Sequence, residues 1–152
     1  MSYTTSEARQ GLLEAIAPAV EEIAMALAAL GGAYELLDDR AGDKLEEDVF
    51  RPVQQAMGRA KRTYTEFAER HALQTSPFET HITGAPSHGV KGFLVDAVEA
   101  VQEADALISE LQDSMLPVEV GDRELRAGLA EVREILGPVP GMAREFTRGF
   151  GR

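Results

Sequence analysis

The stretch from residue 87 to residue 115 limits the fold more than any other part of the chain. Its apolar residues recur at alternating steps of three and four, which places them along one side of an α-helix. An average repeat of about 3.5 residues is typical of helices that pack side by side in bundles. The repeating positions are Leu94, Ala97, Val101, Ala104, Ile108, Leu111 and Met115. We therefore predict a long amphipathic helix over residues 87–115 that packs against several neighbours.

Three further segments show the same helical periodicity. Each begins after a side chain that can accept a hydrogen bond from the backbone of the first helical turn. The predicted helices cover about residues 5–38, 43–73 and 122–136, and their predicted caps are Thr4, Asp43 and Asp122. A short amphipathic segment follows over residues 141–149. The 152 residues thus predict one all-α domain, an antiparallel up-and-down four-helix bundle with a short C-terminal helical segment.

Glycine and proline residues raise two questions about helix continuity. Gly31 and Gly32 weaken the first helix, but its apolar repeat passes through them in register. We therefore expect a continuous helix there, with a break as the alternative. Pro52 removes one backbone donor from the second helix and is expected to bend it.

Composition excludes several classes of site and partner. The chain has no cysteine, which rules out disulfides, thiolate metal sites and cysteine nucleophiles. A net charge of −11 repels duplex DNA and anionic lipid. The longest apolar run, residues 23–30, is far shorter than the roughly 20 residues of a membrane span, and the N-terminus does not resemble a signal peptide. These features, together with the absence of cysteine, predict a soluble, cytoplasmic protein. The excess of arginine over lysine and the abundance of alanine and glycine predict a bacterial one.

An up-and-down order of helices would separate the charges between the two ends of the bundle. The predicted acidic end holds Asp38, Asp39, Asp43, Glu46, Glu47, Asp48, Glu110, Asp113, Glu119, Asp122 and Glu124. The predicted basic end holds Arg9, Arg59, Lys61, Arg62, Arg70, Lys91 and the C-terminal arginines. Such charges most often form solvated faces and complement helix dipoles. A divalent cation at the acidic end and an anionic partner at the basic end are the functional alternatives.

Four carboxylates carry the enzyme alternative. All-α nucleotide pyrophosphohydrolases hold Mg²⁺ or Mn²⁺ with an acidic pair and a later Glu-x-x-Asp. Glu46 and Glu47 supply an acidic pair, and Glu110 and Asp113 have the second form. Phe50 stands where a further glutamate is expected, so the first motif is broken. No cofactor is expected outside this alternative.

The three histidines lie close together in sequence, around a long segment without helical signal. His71, His81 and His88, with Glu69 and Glu79 nearby, offer imidazole and carboxylate ligands for a transition metal. Their spacings of ten and seven residues match no standard site, so we expect these side chains to face solvent. The chain also lacks the Glu-x-x-His pairs of di-iron bundles.

No catalytic signature is present, since the chain contains no Gly-x-Gly-x-x-Gly, Walker loop or Gly-x-Ser-x-Gly motif. We therefore expect a non-catalytic protein that acts through protein–protein contact, as an adaptor, regulator or assembly subunit. The expected interaction surface consists of Phe78, His81, His88, Lys91, Arg144, Phe146, Arg148 and Phe150. A homodimer is also expected, because the fourth helix is too short to cover the apolar first helix. A bundle that binds a small ligand between its helices is the remaining alternative.

Overall fold

The computed structural model describes residues 4–78 and 89–150, which consist of helices and short connections. The helices are α1 (Thr5–Glu35), α2 (Asp39–Leu45), α3 (Arg51–Arg70), α4 (Gly89–Asp113), α5 (Leu116–Glu119), α6 (Arg123–Leu136) and α7 (Val139–Phe150). One π-helical turn, Glu46–Phe50, joins α2 to α3. These two ranges contain no β-strand, and none of their helices has both the length and the apolar character needed to cross a membrane. The predicted all-α fold is confirmed.

The long helices pack as a bundle around one core. α1 lies along α4 and also contacts α3, while α6 lies along α3. α7 follows α6 and packs on α4 and on the π-helical turn. A continuous cluster of buried apolar side chains fills the space between these helices. The predicted helical bundle with a short C-terminal helix is therefore confirmed.

The two ends of the bundle differ from the expected arrangement. The start of α1 lies beside the turn between α5 and α6, because Arg9 Nε donates to the carbonyl oxygen of Val120 at 2.9 Å. α3 ends here too, since Arg70 contacts Asp122. α4 also ends here, because it leads directly into α5. α3 and α4 therefore run in the same direction, each antiparallel to α1. The expectation that residues 38–48 share an end with residues 110–124 is wrong.

Helix boundaries are close to those predicted except at the start of the second helix. α1 continues through Gly31 and Gly32, and the Thr4 hydroxyl accepts the first-turn N–H of Glu7 at 3.0 Å. α2 begins four residues before the predicted start, because the Asp38 carboxylate accepts the N–H of Ala41 at 2.8 Å. Residues 39–42, which lie between the first two predicted helices, are therefore helical.

A wide helical turn stands directly before Pro52. The N–H of Arg51 bonds to the carbonyl oxygen of Glu46, five residues earlier, which is the π-helical spacing. Pro52 has no N–H, so the next bond in the ladder is absent. The distortion expected at this proline thus includes a widened turn just ahead of it.

The apolar part of α1 is largely covered. Ile23, Ala26 and Leu30 are fully buried, whereas Met25 is 43% exposed. α4 and α3 pack against α1 and supply the covering surface. The expectation that a short fourth helix would leave this face open is therefore wrong, and the homodimer stays a prediction without that support.

Candidate functional site

An open groove of about 490 Å³ lies between α4 and α7. Its floor is apolar: Leu94 and Ala143 are buried, Val98 is half-buried, and Val95 is 56% exposed. Apolar surface rimmed by polar side chains can mark an interaction site. We call this feature the α4–α7 groove.

The groove follows from how α7 meets α4. Gly137 and Pro138 separate α6 from α7, so the short last helix can turn its apolar face, including Ala143 and Phe146, towards the core. Ala143 is small, so the groove extends down to Leu94 between the two helices. Of its apolar floor, Val95 and part of Val98 are open to solvent.

Three cations stand along the α4–α7 groove. Lys91 comes from α4, and Arg144 and Arg148 come from α7, one helical turn apart. All three are exposed, and within residues 4–78 and 89–150 none of them forms an ion pair. Glu99 is the one carboxylate among the described lining residues. The groove therefore carries local positive charge on a chain whose net charge is −11.

The groove unites part of the expected interaction surface. Lys91, Arg144 and Arg148 come together as the sequence analysis expected. Val95 was missed, although an apolar residue between Lys91 and Glu99 on an otherwise polar helix face was an available signal.

The three aromatic residues of the expected surface lie outside the α4–α7 groove. Phe146 is buried and its ring stacks on that of Phe150, with centroids 6.1 Å apart, on the side of α7 that faces α2. Phe78 packs edge-on against Tyr64 at a centroid distance of 4.9 Å, near the other end of the bundle. His81 and His88 lie outside the described residues. The described residues of the expected surface therefore lie in separate places. Only Lys91, Arg144 and Arg148 among them line the α4–α7 groove.

The four carboxylates of the enzyme alternative do not meet. Glu46 and Glu47 lie on the π-helical turn, whereas Glu110 and Asp113 lie in the last turn of α4, at the opposite end of the bundle. In the described part of the chain, no group of three or more histidine, aspartate or glutamate side chains could hold a metal ion. The convergence of these four carboxylates that the enzyme alternative requires is therefore not found.

One histidine has a structural explanation. His71 Nε2 lies 2.8 Å from Asp122 Oδ2 and donates to it, and Arg70 donates to both oxygens of the same carboxylate, each at 2.8 Å. Asp122 also accepts the N–H of Leu125 and so caps α6, as predicted. Partial burial raises the pKa of Asp122. The hydrogen bonds from Arg70, Leu125 and His71 lower it by a larger amount, so the pKa lies well below its ordinary value. This cluster ties the end of α3 to the start of α6.

Comparison with known proteins adds no further constraint. No protein-family model, no curated protein and no solved structure matches this chain. The geometry and charge of the α4–α7 groove therefore provide the basis for a functional proposal.

Proposed function

We propose that this protein acts through protein–protein contact and that the α4–α7 groove binds an acidic amphipathic helix of a different protein. The observation that carries the proposal is the combination of an apolar floor, at which Val95 is exposed, with three cations that lack ion pairs within the described residues. An occupant that satisfies both features needs apolar anchors on one side and carboxylates beside them.

The shape of the groove favours a helix as the occupant. Two helices that pack side by side leave a channel into which the ridge of a third helix can fit. Val95 and Val98 lie about one turn apart on α4, so they match anchors spaced three or four residues apart in the partner. Arg144 and Arg148 have the same spacing on α7 and match two carboxylates one turn apart.

The charge of the groove favours a partner other than a second copy. In a two-fold symmetric dimer the same patch faces itself. Lys91, Arg144 and Arg148 would then oppose the same three cations across the axis, at an electrostatic cost. The partner is therefore an acidic helix from another chain, and a homodimer would use a different surface.

The rival functions have less support from this arrangement. The metal-dependent enzyme needs carboxylates that converge, and Glu46 and Glu110 lie at opposite ends. A small ligand in the α4–α7 groove would pair with fewer of its three cations than a helix that carries carboxylates one turn apart.

A designed peptide tests the proposal. The probe is a helical peptide of about 18 residues with leucines on one face and glutamates beside them, titrated into the isotope-labelled full chain and followed by amide NMR shifts. We expect saturable shifts confined to the α4–α7 groove. Arg144→Glu and Arg148→Glu should each weaken binding about tenfold, because each replaces an attraction by a repulsion.

Two controls separate groove binding from general charge attraction. Lys61→Glu reverses an exposed cation on α3, away from the groove, and should leave the affinity within about twofold. A peptide with glutamine in place of every glutamate should bind at least tenfold more weakly. The proposal would be overturned if Lys61→Glu and Arg144→Glu lowered the affinity for the peptide equally, or if the peptide showed no saturable binding. Complete displacement of the peptide by a medium-chain fatty acid would reassign the groove to a small ligand.

A further inference from the structure

A second recess lies where α1 ends and the π-helical turn begins. This is the end of the bundle opposite the end of α3. The recess has a volume of about 270 Å³ and is lined by Tyr34, Glu46, Phe50 and Gln54. Tyr34 comes from the last turn of α1, Glu46 and Phe50 from the π-helical turn, and Gln54 from α3. We call it the Tyr34 recess.

The ring of Tyr34 is held in place at the edge of this recess. Gly42 is buried beneath it, and a Cβ atom at Gly42 would lie only 3.2 Å from Cε2 of the ring. The absence of a side chain at Gly42 thus allows the ring to rest on the backbone of α2. Tyr34 is nevertheless 42% exposed, so part of the positioned ring remains available to a ligand.

The π-helical turn supplies two of the four described residues that line the recess. A π turn inserts one extra residue and thereby changes which side chains face a given direction, and such turns are frequent at functional sites. Here Glu46 and Phe50 are the first and last residues of the turn, and both line the recess. The distortion thus places a carboxylate and an aromatic ring beside Tyr34.

Polar atoms of the recess are open to a ligand. Within the described residues, no hydrogen bond or ion pair engages the Tyr34 hydroxyl, the Glu46 carboxylate or the Gln54 amide. The surroundings are acidic as well: residues 34–51 contain seven aspartates and glutamates and three basic residues. One of those basic residues, Lys44, is already paired with Asp48 at 2.7 Å.

We propose that the Tyr34 recess binds a small organic cation that carries a methylated ammonium group. The faces of Tyr34 and Phe50 attract such a group through their quadrupoles, and methylation favours aromatic walls because it removes hydrogen-bond donors that water would satisfy. Glu46 supplies the opposite charge, and Gln54 can bond to a hydroxyl or carbonyl at the far end of the ligand. The site is separate from the α4–α7 groove and does not depend on it.

Choline chloride and its uncharged isostere 3,3-dimethylbutan-1-ol are the probes that test this site. Both are titrated into the labelled full chain at constant ionic strength, with sodium chloride as the salt control. We expect choline to shift the amide signals of Tyr34, Glu46 and Phe50. The isostere should bind at least tenfold more weakly, since it has the same shape without the charge.

Matched variants identify the residues responsible. Tyr34→Leu and Glu46→Gln should each weaken choline binding about fivefold or more. Glu47→Gln removes the neighbouring exposed carboxylate, which does not line the recess, and should change the affinity less than twofold. Arg144→Glu, in the α4–α7 groove, should leave choline binding unchanged.

Three outcomes would overturn the inference. The first is equal binding of choline and the isostere, which would show that charge plays no part. The second is an equal loss for Glu47→Gln and Glu46→Gln, which would indicate general attraction to an acidic surface. The third is the absence of a saturable shift at Tyr34 while the thermal unfolding of the chain is normal.

Discussion

Gly128→Ala is expected to lower the free energy of unfolding by about 3 kcal/mol, because α3 and α6 touch at this residue. A Cβ atom there would overlap Oγ1 of Thr63 and lie 2.8 Å from its Cγ2. Thr63 has little freedom to move, since it is 3% exposed and its hydroxyl donates to the carbonyl oxygen of Arg59 at 2.8 Å. The helices must therefore separate. Urea unfolding followed by circular dichroism measures the loss.

A second glycine provides the control. Gly31 lies inside α1, and a Cβ atom there would meet nothing within 4 Å. Gly31→Ala should stabilise the protein by about 0.5–1 kcal/mol, because alanine favours the helix. If Gly128→Ala also stabilised the protein, the prediction that α3 and α6 touch at this residue would be contradicted.

A double variant tests the contact itself. Thr63→Ala removes the two atoms that a Cβ atom at Gly128 would strike first. Gly128→Ala should therefore cost at least 1 kcal/mol less in the Thr63→Ala background than in the natural chain. Additive losses would show that the two positions do not interact.

Asp122→Ala is expected to destabilise the protein by about 2 kcal/mol, since one carboxylate serves two purposes. It caps α6 through the N–H of Leu125, and it binds Arg70 and His71 at the end of α3. Asp122→Asn retains a capping oxygen and loses the charge, so its loss should be about half as large. For a chain of this length, 2 kcal/mol corresponds to a fall of about 4–8 °C in melting temperature.

The pH dependence of this effect has a definite sign. The folded-state pKa of Asp122 lies below its ordinary value of 3.8, so the charged carboxylate stabilises the folded state. That stabilisation is complete well above pH 3.8 and is lost as the pH falls towards the folded-state pKa. The difference in unfolding free energy between the natural chain and Asp122→Asn should therefore be constant from pH 7 to pH 5 and smaller at pH 3.

Asp38 is the matched comparison for Asp122. It caps α2 by accepting the N–H of Ala41. Asp38→Asn should therefore cost only a few tenths of a kcal/mol of unfolding free energy at pH 7. If the loss of unfolding free energy in Asp122→Asn were as large at pH 3 as at pH 7, the ion pair with Arg70 would not contribute to stability.

Several features of the fold could be read from sequence because they depend on neighbours along the chain. The apolar repeat of α4 identifies its buried face, and Thr4 and Asp122 cap the helices that they were predicted to cap. The start of the second helix was placed too late, because Asp38 and Asp43 both have the form of a cap and only the N–H that is actually bonded decides between them.

The candidate sites were harder to predict because they depend on contacts between distant segments. Lys91, Arg144 and Arg148 were expected on one surface, but Val95 and the groove floor become visible only when α7 lies against α4. The Tyr34 recess requires the π-helical turn; Pro52 predicted a bend in this helix, but no local pattern predicted a π-helical turn. Gly128 was likewise not singled out, although an interior helical glycine can mark a close approach.

The sequence by itself determined the helices and their buried faces, since periodicity and capping are local properties of the chain. Only the tertiary structure decided which ends meet. Arg9 joins Val120 and Arg70 joins Asp122, so α3 and α4 run in the same direction and the acidic residues are divided between the two ends. The physical reason is that an apolar helix face can be buried equally well against several partners. The hydrogen bonds and close contacts of particular side chains select one arrangement, and they connect residues up to 111 positions apart.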